Sequence, residues 1–295
     1  MGAPPKAQVA RRRVVALVVL VAGLGLLGWL GVALVRGDDA SETGSPETRP
    51  TTATAQQVLR IVFPEGFTRE EMADRIVAVK DIARRERGAN TRLSRADYLS
   101  LTASASLPGR FARDAKRRTL EGFLFPATYA FTPRTTTEQL VALQLKAFRA
   151  NWAKVDLRYA RSKNLTPYDV LVIASMIEKE VVAPDERALV SSVIYNRLKR
   201  QMTLGIDATI RYALKVPATE SLRQSHLDAP TPYNTRIHAG LPPGPIANPG
   251  LASMQAAAHP KKTNYLYFVR KPDRQHHFFT ASKQEFDEYQ LENGY

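Results

Sequence analysis

The stretch TPYDVLVIASMIEKEVVAP, residues 166–184, decides the fold because it encodes a helix that is apolar on nearly every side. Thr166 is the expected N-cap, Pro167 suits the first helical position, and Pro184 is expected to end the helix. A helix without a polar stripe is buried on all sides rather than laid on the surface of a domain. We therefore expect residues 170–177 to be buried.

Glu178 lies near the C-terminal end of this predicted helix. Apolar surroundings and the negative end of the helix dipole both favour the protonated form of a carboxyl group. A carboxyl that stays protonated near neutral pH can act as a general acid. The residues alone leave a second interpretation open, in which Glu178, Lys179 and Glu180 form a solvated charge cluster that closes a core helix.

The N-terminal region predicts a membrane anchor. Residues 14–35 form a 22-residue stretch without a charge, which is long enough to cross the roughly 30 Å of bilayer hydrocarbon. Three arginines at 11–13 precede it, so residues 1–13 are expected to be a cytoplasmic tail. A cleaved signal peptide would have a shorter apolar core and a clear cleavage site, so an uncleaved anchor is favoured. Residues 36–55 are polar and proline-containing, which predicts a flexible linker.

The sequence therefore predicts a single-pass protein of the plasma or inner membrane, with the residues after Arg36 outside the cytoplasm. The formal net charge is +14, and the first 36 residues contribute five basic and no acidic residues. A basic surface suits nucleic acid or the anionic polymers of a cell wall. Export and the lack of a nucleic-acid-binding motif argue against nucleic acid as a partner.

The composition also restricts the possible cofactors. The chain has no cysteine, which excludes disulfides, thiolate chemistry and zinc–thiolate sites. The adjacent His276 and His277 fall on a predicted strand and point to opposite faces, so they cannot chelate one ion. We expect no metal and no other cofactor.

Helices and short antiparallel strands in mixed order predict an α+β fold. Residues 56–119 form a small α/β segment, and residues 120–295 form the expected catalytic domain. The segment starts with a strand at 58–63, and Thr68 and Glu71 then form a capping box for a helix. The remaining expected elements are a charged helical region at 81–116, an extended aromatic segment at 120–131, helices at 136–155 and from Asp185, strands at 265–269 and 277–280, and a final helix capped by Ser282.

Four motifs occur in an order and spacing that resemble the MltG-type (YceG-like) endolytic murein transglycosylases, which are membrane-anchored enzymes that cut peptidoglycan glycan strands. The resemblance runs from about Val58 to Tyr295. The motifs are LEGFLFP at 120–126, IASMIEKE at 173–180, the segments ER, VIYNRL and DAT within 186–209, and the segments YNT, GLPPGPI, NPG and AAAHP within 233–260.

The resemblance implies a lytic transglycosylase, which is a carbon–oxygen lyase that acts on polysaccharides. Glu178 matches the catalytic glutamate of the family. It would protonate the oxygen of the β-1,4 bond between MurNAc and GlcNAc and then accept the proton of the C6 hydroxyl as that hydroxyl attacks C1. The product would carry a 1,6-anhydro-MurNAc end, and no water would be consumed. The implied partners are nascent glycan strands and peptidoglycan synthases.

Further residues in these motifs are predicted to bind substrate. Glu121 either bonds sugar hydroxyls in the cleft or is a structural acid beside Gly122. Asn234 either donates to an N-acetyl carbonyl or orients Glu178, or else it only fixes an Asx-turn. The other predicted contacts in the same cleft are Asp207, Thr209, Tyr233 and Thr235.

The chain also departs from the family pattern. The LysM-like module that many members carry before the Pro64–Gly66 segment is missing or severely shortened, and Gly205 stands where the family often has glutamine. Two other functions stay open. One is a non-catalytic peptidoglycan-binding or division scaffold. The other is a hydrolytic muramidase that uses Glu121 and Glu178, which would require the two carboxyls to be about 5–9 Å apart and Glu121 to be free of other partners.

Overall fold

The computed structural model describes residues 57–103, 106–109 and 111–294. The predicted cytoplasmic tail, membrane anchor and linker lie outside these residues. Within the described ranges, no helix combines the length and the apolar character that crossing a bilayer requires. The described residues combine helices with short antiparallel strands, which confirms the α+β class.

The described residues form α-helices, one short 3-10 helix at Pro184–Glu186, and two antiparallel strand pairs. The strands are β1 (Leu59–Val62), β2 (Thr128–Phe131), β3 (Tyr267–Arg270) and β4 (His277–Thr280). The helices are α1 (Arg69–Arg87), α2 (Arg95–Ala103), α3 (Phe111–Asp114), α4 (Thr137–Trp152), α5 (Arg158–Ser162), α6 (Pro167–Glu180), α7 (Arg187–Lys199), α8 (Asp207–Leu214), α9 (Gln224–Leu227), α10 (Leu251–Ala258) and α11 (Lys283–Glu292).

Helix α6 is the buried centre of the domain, as the sequence predicts. The Thr166 hydroxyl accepts a hydrogen bond from the Asp169 N–H, the Asp169 carboxylate accepts one from the Thr166 N–H, and proline occupies the first turn. Every residue at 170–177 is buried. Helix α10 makes the most extensive contact with α6, and α3, α7 and α8 also pack against it. Because neighbours surround the helix, an all-round apolar sequence suits it.

The two strand pairs are separate two-stranded sheets. Strand β1 pairs with β2, from Leu59 opposite Phe131 to Val62 opposite Thr128. This pairing joins the segment predicted at 56–119 to the domain predicted at 120–295, and the described residues all belong to one compact unit. The second pair, β3 with β4, packs against α11 and α7.

The structure corrects two predicted boundaries. The segment at 120–131 is extended only over β2, because the chain turns at Gly122 with a φ of 88°. A side chain at Gly122 would place its Cβ 2.7 Å from the Pro245 ring, so only glycine allows this contact. The charged region at 81–116 is not continuous, because α1 ends at Gly88, whose left-handed conformation caps the helix.

Asn248 connects three separate parts of the chain and is fully buried. Its side-chain oxygen accepts a hydrogen bond of 2.9 Å from the Leu124 N–H, and its amide nitrogen donates to the Phe67 carbonyl and to Glu121 Oε1, each at 2.9 Å. Its backbone oxygen also accepts the Gly66 N–H at 3.0 Å. One side chain therefore holds together the loop before α1, the 120–126 motif and the proline-rich loop.

Replacing Asn248 with alanine is expected to destabilise the domain by about 2–4 kcal/mol, because several buried donors and acceptors lose their partners together. Urea unfolding followed by circular dichroism measures this change. The control is Asn293→Ala, since the Asn293 amide donates to the Tyr289 carbonyl near the end of α11. Equal midpoints for the two variants would contradict the connecting role of Asn248.

Candidate functional site

A large cleft of about 1550 Å³ opens beside the C-terminal end of α6. It exceeds the range of roughly 300–1,000 Å³ that is usual for sites that bind small molecules, so its size suits a segment of a polymer. Its walls come from the start of α1, the end of α6, α8 and strand β3. The lining residues used below are Glu121, Glu180, Asp207, Tyr212, Tyr233, Arg236, Arg270 and His277.

Glu180, the last residue of α6, is the half-buried carboxyl that faces this cleft. Desolvation by burial raises its pKa to about 7, and the negative charge of Asp207 adds to the increase. The positive charge of Arg270, hydrogen bonding from the Ala208 N–H and the charge of Arg211 act in the opposite direction. A carboxyl with this pKa keeps its proton in a large fraction of molecules at neutral pH.

Asp207 begins α8 beside Glu180 and is paired with Arg236. Two guanidinium nitrogens of Arg236, Nε and Nη2, each lie 2.7 Å from Asp207 Oδ1. The two side chains are 44% and 42% exposed, so solvent screens part of their attraction. Asp207 therefore lines the cleft as a carboxylate that is paired with an arginine.

Glu178 projects from another side of α6, because two residues along a helix differ by about 200° around its axis. Its Oε2 accepts a hydrogen bond of 2.9 Å from the Gly250 N–H at the start of α10. Among the described residues that line the large cleft, Lys179 and Glu180 are present and Glu178 is not. The contacts of Glu178 are those of a side chain that ties α6 to α10.

Glu65 is a second carboxyl at the start of α10. A Cβ atom on Gly250 would lie 1.8 Å from Glu65 Oε1, so this carboxyl rests against the glycine. Desolvation and then the charge of Glu178 raise the pKa of Glu65, while the charge of Arg187 lowers it. Two acidic side chains at a helix N-terminus also interact favourably with the helix dipole.

Glu121 is 3% exposed and fully hydrogen-bonded. Its carboxylate accepts the Arg69 N–H at 3.1 and 3.2 Å, the Asn248 amide at 2.9 Å and the Tyr212 hydroxyl at 3.3 Å. Burial raises its pKa to about 7, and the charge and N–H of Arg69 oppose the increase. Glu121 therefore reaches the cleft wall, but its oxygens are engaged by protein donors.

Three other predicted contacts have their polar atoms satisfied inside the protein. Asn234 is fully buried, donates to the carbonyls of Leu227 and Ala229, and accepts the Arg236 N–H in an Asx-turn. The hydroxyls of Thr209 and Thr235 are buried and lie 3.1 Å apart. These residues shape the cleft by fixing Arg236 and the start of α8.

Tyr233 is a part of the cleft wall. It lines the wall beside Tyr212, and the two ring centroids are 5.2 Å apart. Burial raises the pKa of Tyr233 above its ordinary value, so its hydroxyl stays neutral. Direct contact with substrate stays a prediction for Tyr233, as it does for Asn234, Thr209 and Thr235.

His277 and Glu186 form a buried pair at the edge of the same cleft. The His277 Nδ1 atom lies 2.6 Å from Glu186 Oε2, and the His277 backbone N–H donates to Glu186 Oε1 at 2.9 Å. This contact joins β4 to the 3-10 helix that precedes α7. His276 points away to Asp273. Nowhere in the described ranges do three or more metal-ligating side chains converge.

The sequence interpretation missed Glu180, Glu65 and Arg236 as individual site residues. Glu180 lies in the recognised IASMIEKE motif, but an all-round apolar helix gives no sign of which acidic residue at its end faces a cleft. Glu65 lies in the short Pro64–Gly66 segment, whose sequence gives no sign of a functional acid. Arg236 follows the recognised YNT motif by one residue, and its charge beside a predicted Asx-turn was the available signal.

Comparison with known proteins agrees with the motifs. The sequence model described as the YceG-like family matches residues 45–291. The chain is 40% identical over 153 residues to a Bacillus subtilis strain 168 protein named endolytic murein transglycosylase, covering 52% of this chain and 42% of that protein. It is 31% identical over 242 residues to a protein of the same name from Streptococcus pneumoniae R6, covering 77% and 43%.

The chain thus spans less than half the length of these curated relatives. A solved structure gives a fuller match. The crystal structure of a yceG-like protein from Listeria monocytogenes is 32% identical, with a TM-score of 0.64, and covers 78% of this chain and 75% of that one.

The contact between Gly250 and Glu65 predicts a coupled mutational effect. Gly250 has an ordinary φ of −76°, so Gly250→Ala is expected to destabilise by about 1–3 kcal/mol only because the new Cβ displaces the Glu65 carboxyl. In a Glu65→Ala background that carboxyl is gone, and the same substitution should cost at least about 1 kcal/mol less. Chemical unfolding of the four proteins measures the cycle, and additive effects would refute the contact.

Proposed function

Because the chain belongs to the YceG-like family, we propose that it is an endolytic lytic transglycosylase that cleaves peptidoglycan glycan strands. Two relatives carry the name endolytic murein transglycosylase. The structural observation that carries the proposal is the Glu180 carboxyl, which faces a polymer-sized cleft and has a pKa of about 7. A protonated carboxyl in such a cleft is what the first step of glycosidic cleavage requires.

The proposed reaction needs one acid and no water. Glu180 gives its proton to the oxygen between MurNAc and GlcNAc, and the bond between that oxygen and C1 breaks. The C6 hydroxyl of the same MurNAc attacks C1, and its proton passes to the Glu180 carboxylate. The product has a 1,6-anhydro-MurNAc end, and Glu180 is protonated again. An attacking group held in the substrate itself avoids the entropy cost of positioning a separate nucleophile.

The geometry supports Glu180 better than Glu178 as this acid. Resemblance predicts Glu178, and that assignment stays a prediction. The Glu178 carboxylate already accepts the Gly250 N–H, and this side chain is not among the described residues that line the cleft. Glu180 is two residues further along the same motif and faces the cleft, where burial and Asp207 favour its protonated form.

The two alternative functions receive less support. A muramidase that uses Glu121 with Glu178 would need Glu121 to be free of other partners, whereas its oxygens accept bonds from Arg69, Asn248 and Tyr212. A non-catalytic scaffold would have no need for a carboxyl with a raised pKa in the cleft. Both alternatives make distinct predictions about the products of a digest.

We also propose that residues 14–35 anchor the protein in the plasma or inner membrane, with the N-terminus in the cytoplasm and the described domain outside. The uncharged stretch and the preceding arginines support this orientation. Peptidoglycan synthases are the proposed partners, since an anchored enzyme acts on strands close to where they are made. Tyr233, Glu121 and Asp207 are proposed to line the glycan-binding surface.

Glu180→Gln is expected to lower turnover by about 10²–10⁴-fold, because glutamine cannot donate the proton. Glu178→Gln should stay active, since a glutamine oxygen can still accept the Gly250 N–H. The measurement is mass spectrometry of purified glycan strands digested by the full-length protein in detergent, where anhydro products are one water lighter than hydrolysis products.

Glu292→Gln, at the end of α11, is the matched control for these two variants, and circular dichroism verifies the fold of each. An inactive, folded Glu178→Gln together with an active Glu180→Gln would assign the acid to Glu178, as the motif resemblance predicts. Reducing ends instead of anhydro ends would establish a muramidase, and binding without any products would establish a scaffold.

Turnover is expected to decrease as the pH rises through about 7, because Glu180 then loses the proton that it must donate. Initial rates measured across the neutral range follow this decrease.

The pKa of Glu121 is also raised, from an ordinary 4.5 to about 7, so its contribution to folding stability is lost as the pH rises between these values. Melting temperatures at each pH separate the two effects, and an unchanged rate above pH 7 would contradict the role of Glu180.

A further inference from the structure

Asp207 lies next to the proposed acid without being a direct hydrogen-bond partner of it. Glu180 ends α6 and Asp207 begins α8, and these two helices pack against each other. The N–H of the following residue, Ala208, faces the Glu180 carboxyl, and the charge of Asp207 acts on the same group. Both acidic residues line the same cleft. The site thus contains two carboxyls in different environments.

Arg236 is the ion-pair partner of Asp207. Both of its contacting nitrogens are directed at Asp207 Oδ1, at 2.7 Å each. No hydrogen bond to Asp207 Oδ2 occurs within the described ranges, and the side chain is 44% exposed on the cleft side. Arg236 is thus the ion-pair partner of one Asp207 oxygen. The other oxygen belongs to a side chain that lines the cleft.

Arg236 itself is held in place by the protein. Its backbone N–H donates to Asn234 Oδ1 at 3.0 Å, and the Asn234 amide is tied to the carbonyls of Leu227 and Ala229. The buried Thr235 hydroxyl accepts the Ile206 N–H at 2.9 Å, which fixes the residue before Asp207. A network of buried polar bonds therefore supports the Asp207–Arg236 pair from behind.

We propose that Asp207 is the second carboxylate of the reaction: it is held in place by Arg236 and stabilises the positive charge that develops on the MurNAc ring. This inference rests on the proposed transglycosylase function. A neutral acid beside a fixed carboxylate is the arrangement in which two carboxyls divide acid and charge-stabilising roles between them.

The step balances without a covalent bond to Asp207. As Glu180 protonates the leaving oxygen, the C1–O bond breaks and C1 and the ring oxygen share a positive charge. The Asp207 carboxylate faces that charge and lowers the barrier electrostatically. The C6 hydroxyl oxygen then forms the new bond to C1, and its proton goes to Glu180. Asp207 neither gains nor loses a proton or an electron pair.

The charges around Glu180 determine the direction in which each of two substitutions should shift the ionisation of this residue. Glu180 is faced by Asp207, Arg211 and the Ala208 N–H from α8, and by Arg270 from β3. Asp207 in turn is faced by Arg236 from the loop after Asn234. Removing the negative charge of Asp207 makes Glu180 easier to ionise, whereas removing the positive charge of Arg236 leaves Asp207 uncompensated and makes Glu180 harder to ionise.

The test compares Asp207→Asn with Arg236→Gln in the full-length protein. Asp207→Asn should lower kcat about 10²-fold or more with KM changed only a few-fold, and the alkaline limb of its pH–rate profile should move to lower pH. Arg236→Gln should move the same limb to higher pH. The control is Asp287→Asn, which breaks the exposed Lys283–Asp287 pair on α11 and should change neither kcat nor the limb.

A titration of the Glu180 carboxyl by carbon-13 NMR gives a readout that needs no turnover. The Glu180 signal is assigned by its absence in Glu180→Gln, and its midpoint should fall in Asp207→Asn. A merely structural Asp207 would lower the melting temperature of Asp207→Asn and leave the kcat of the folded protein at the wild-type value. An Asp207→Asn protein with the wild-type kcat, or one with a lower kcat and an unmoved midpoint, overturns the proposal.

Failure of the transglycosylase function itself has a different signature. In that case the wild-type protein forms no anhydro products, or Glu180→Gln forms them at the normal rate. If the wild type forms anhydro products and needs Glu180, and Asp207→Asn is nevertheless unaffected, only the inference about Asp207 is wrong.

Discussion

The complete enclosure of helix α6 is the constraint on which the rest of the structure depends. The side chains of residues 170–177 contain no nitrogen or oxygen except the Ser175 hydroxyl, which donates to the Val172 carbonyl and accepts the Ile246 N–H. Neighbouring helices therefore have to cover every side, and α10 provides the largest share. The helix can end only where its last turn reaches polar surroundings. That turn holds three charged residues. Because Glu178 and Glu180 lie on different sides of the helix, Glu178 contacts the start of α10 and Glu180 faces the cleft.

Two acids of this domain have similarly raised pKa values for the same main reason, which is burial. Their surroundings nevertheless give them different roles. The Glu121 carboxylate accepts bonds from Arg69, Tyr212 and Asn248, so it fixes the loop before α1 to the proline-rich loop. Glu180 faces a cleft and has a carboxylate neighbour. A raised pKa identifies a candidate acid only when the group can also reach a substrate.

Elements whose signals are local could be predicted from the sequence. Thr68, Thr166 and Ser282 cap helices as expected, because capping uses neighbours three residues away. Helices α8 and α10 were not predicted. Helix α10, with the sequence LASMQAAA, is short and rich in small residues, so it has no clear apolar period. Its stability comes from packing against α6, which is a long-range contact that no local pattern encodes.

The sequence motifs predicted which family the site resembles and where along the chain it lies, but not which individual residues face the cleft. Motif order identified the family and the end of α6. Choosing between Glu178 and Glu180 depends on which side of that helix α8 and α10 occupy, and neither helix was expected. The pairing of Asp207 with Arg236 likewise spans 29 positions in the chain, and a spacing of that kind leaves no periodic trace.

The Glu186–His277 contact has a consequence for how the cleft meets its ligand. A single buried carboxylate holds both the ring and the backbone of His277, so the C-terminal hairpin is stapled to the base of α7. This side of the cleft is therefore held in a fixed position before any ligand binds. A ligand that binds on this side of the cleft does not have to order it, which lowers the entropic cost of binding. Selection among ligands here accordingly depends on how well their shape matches a fixed surface.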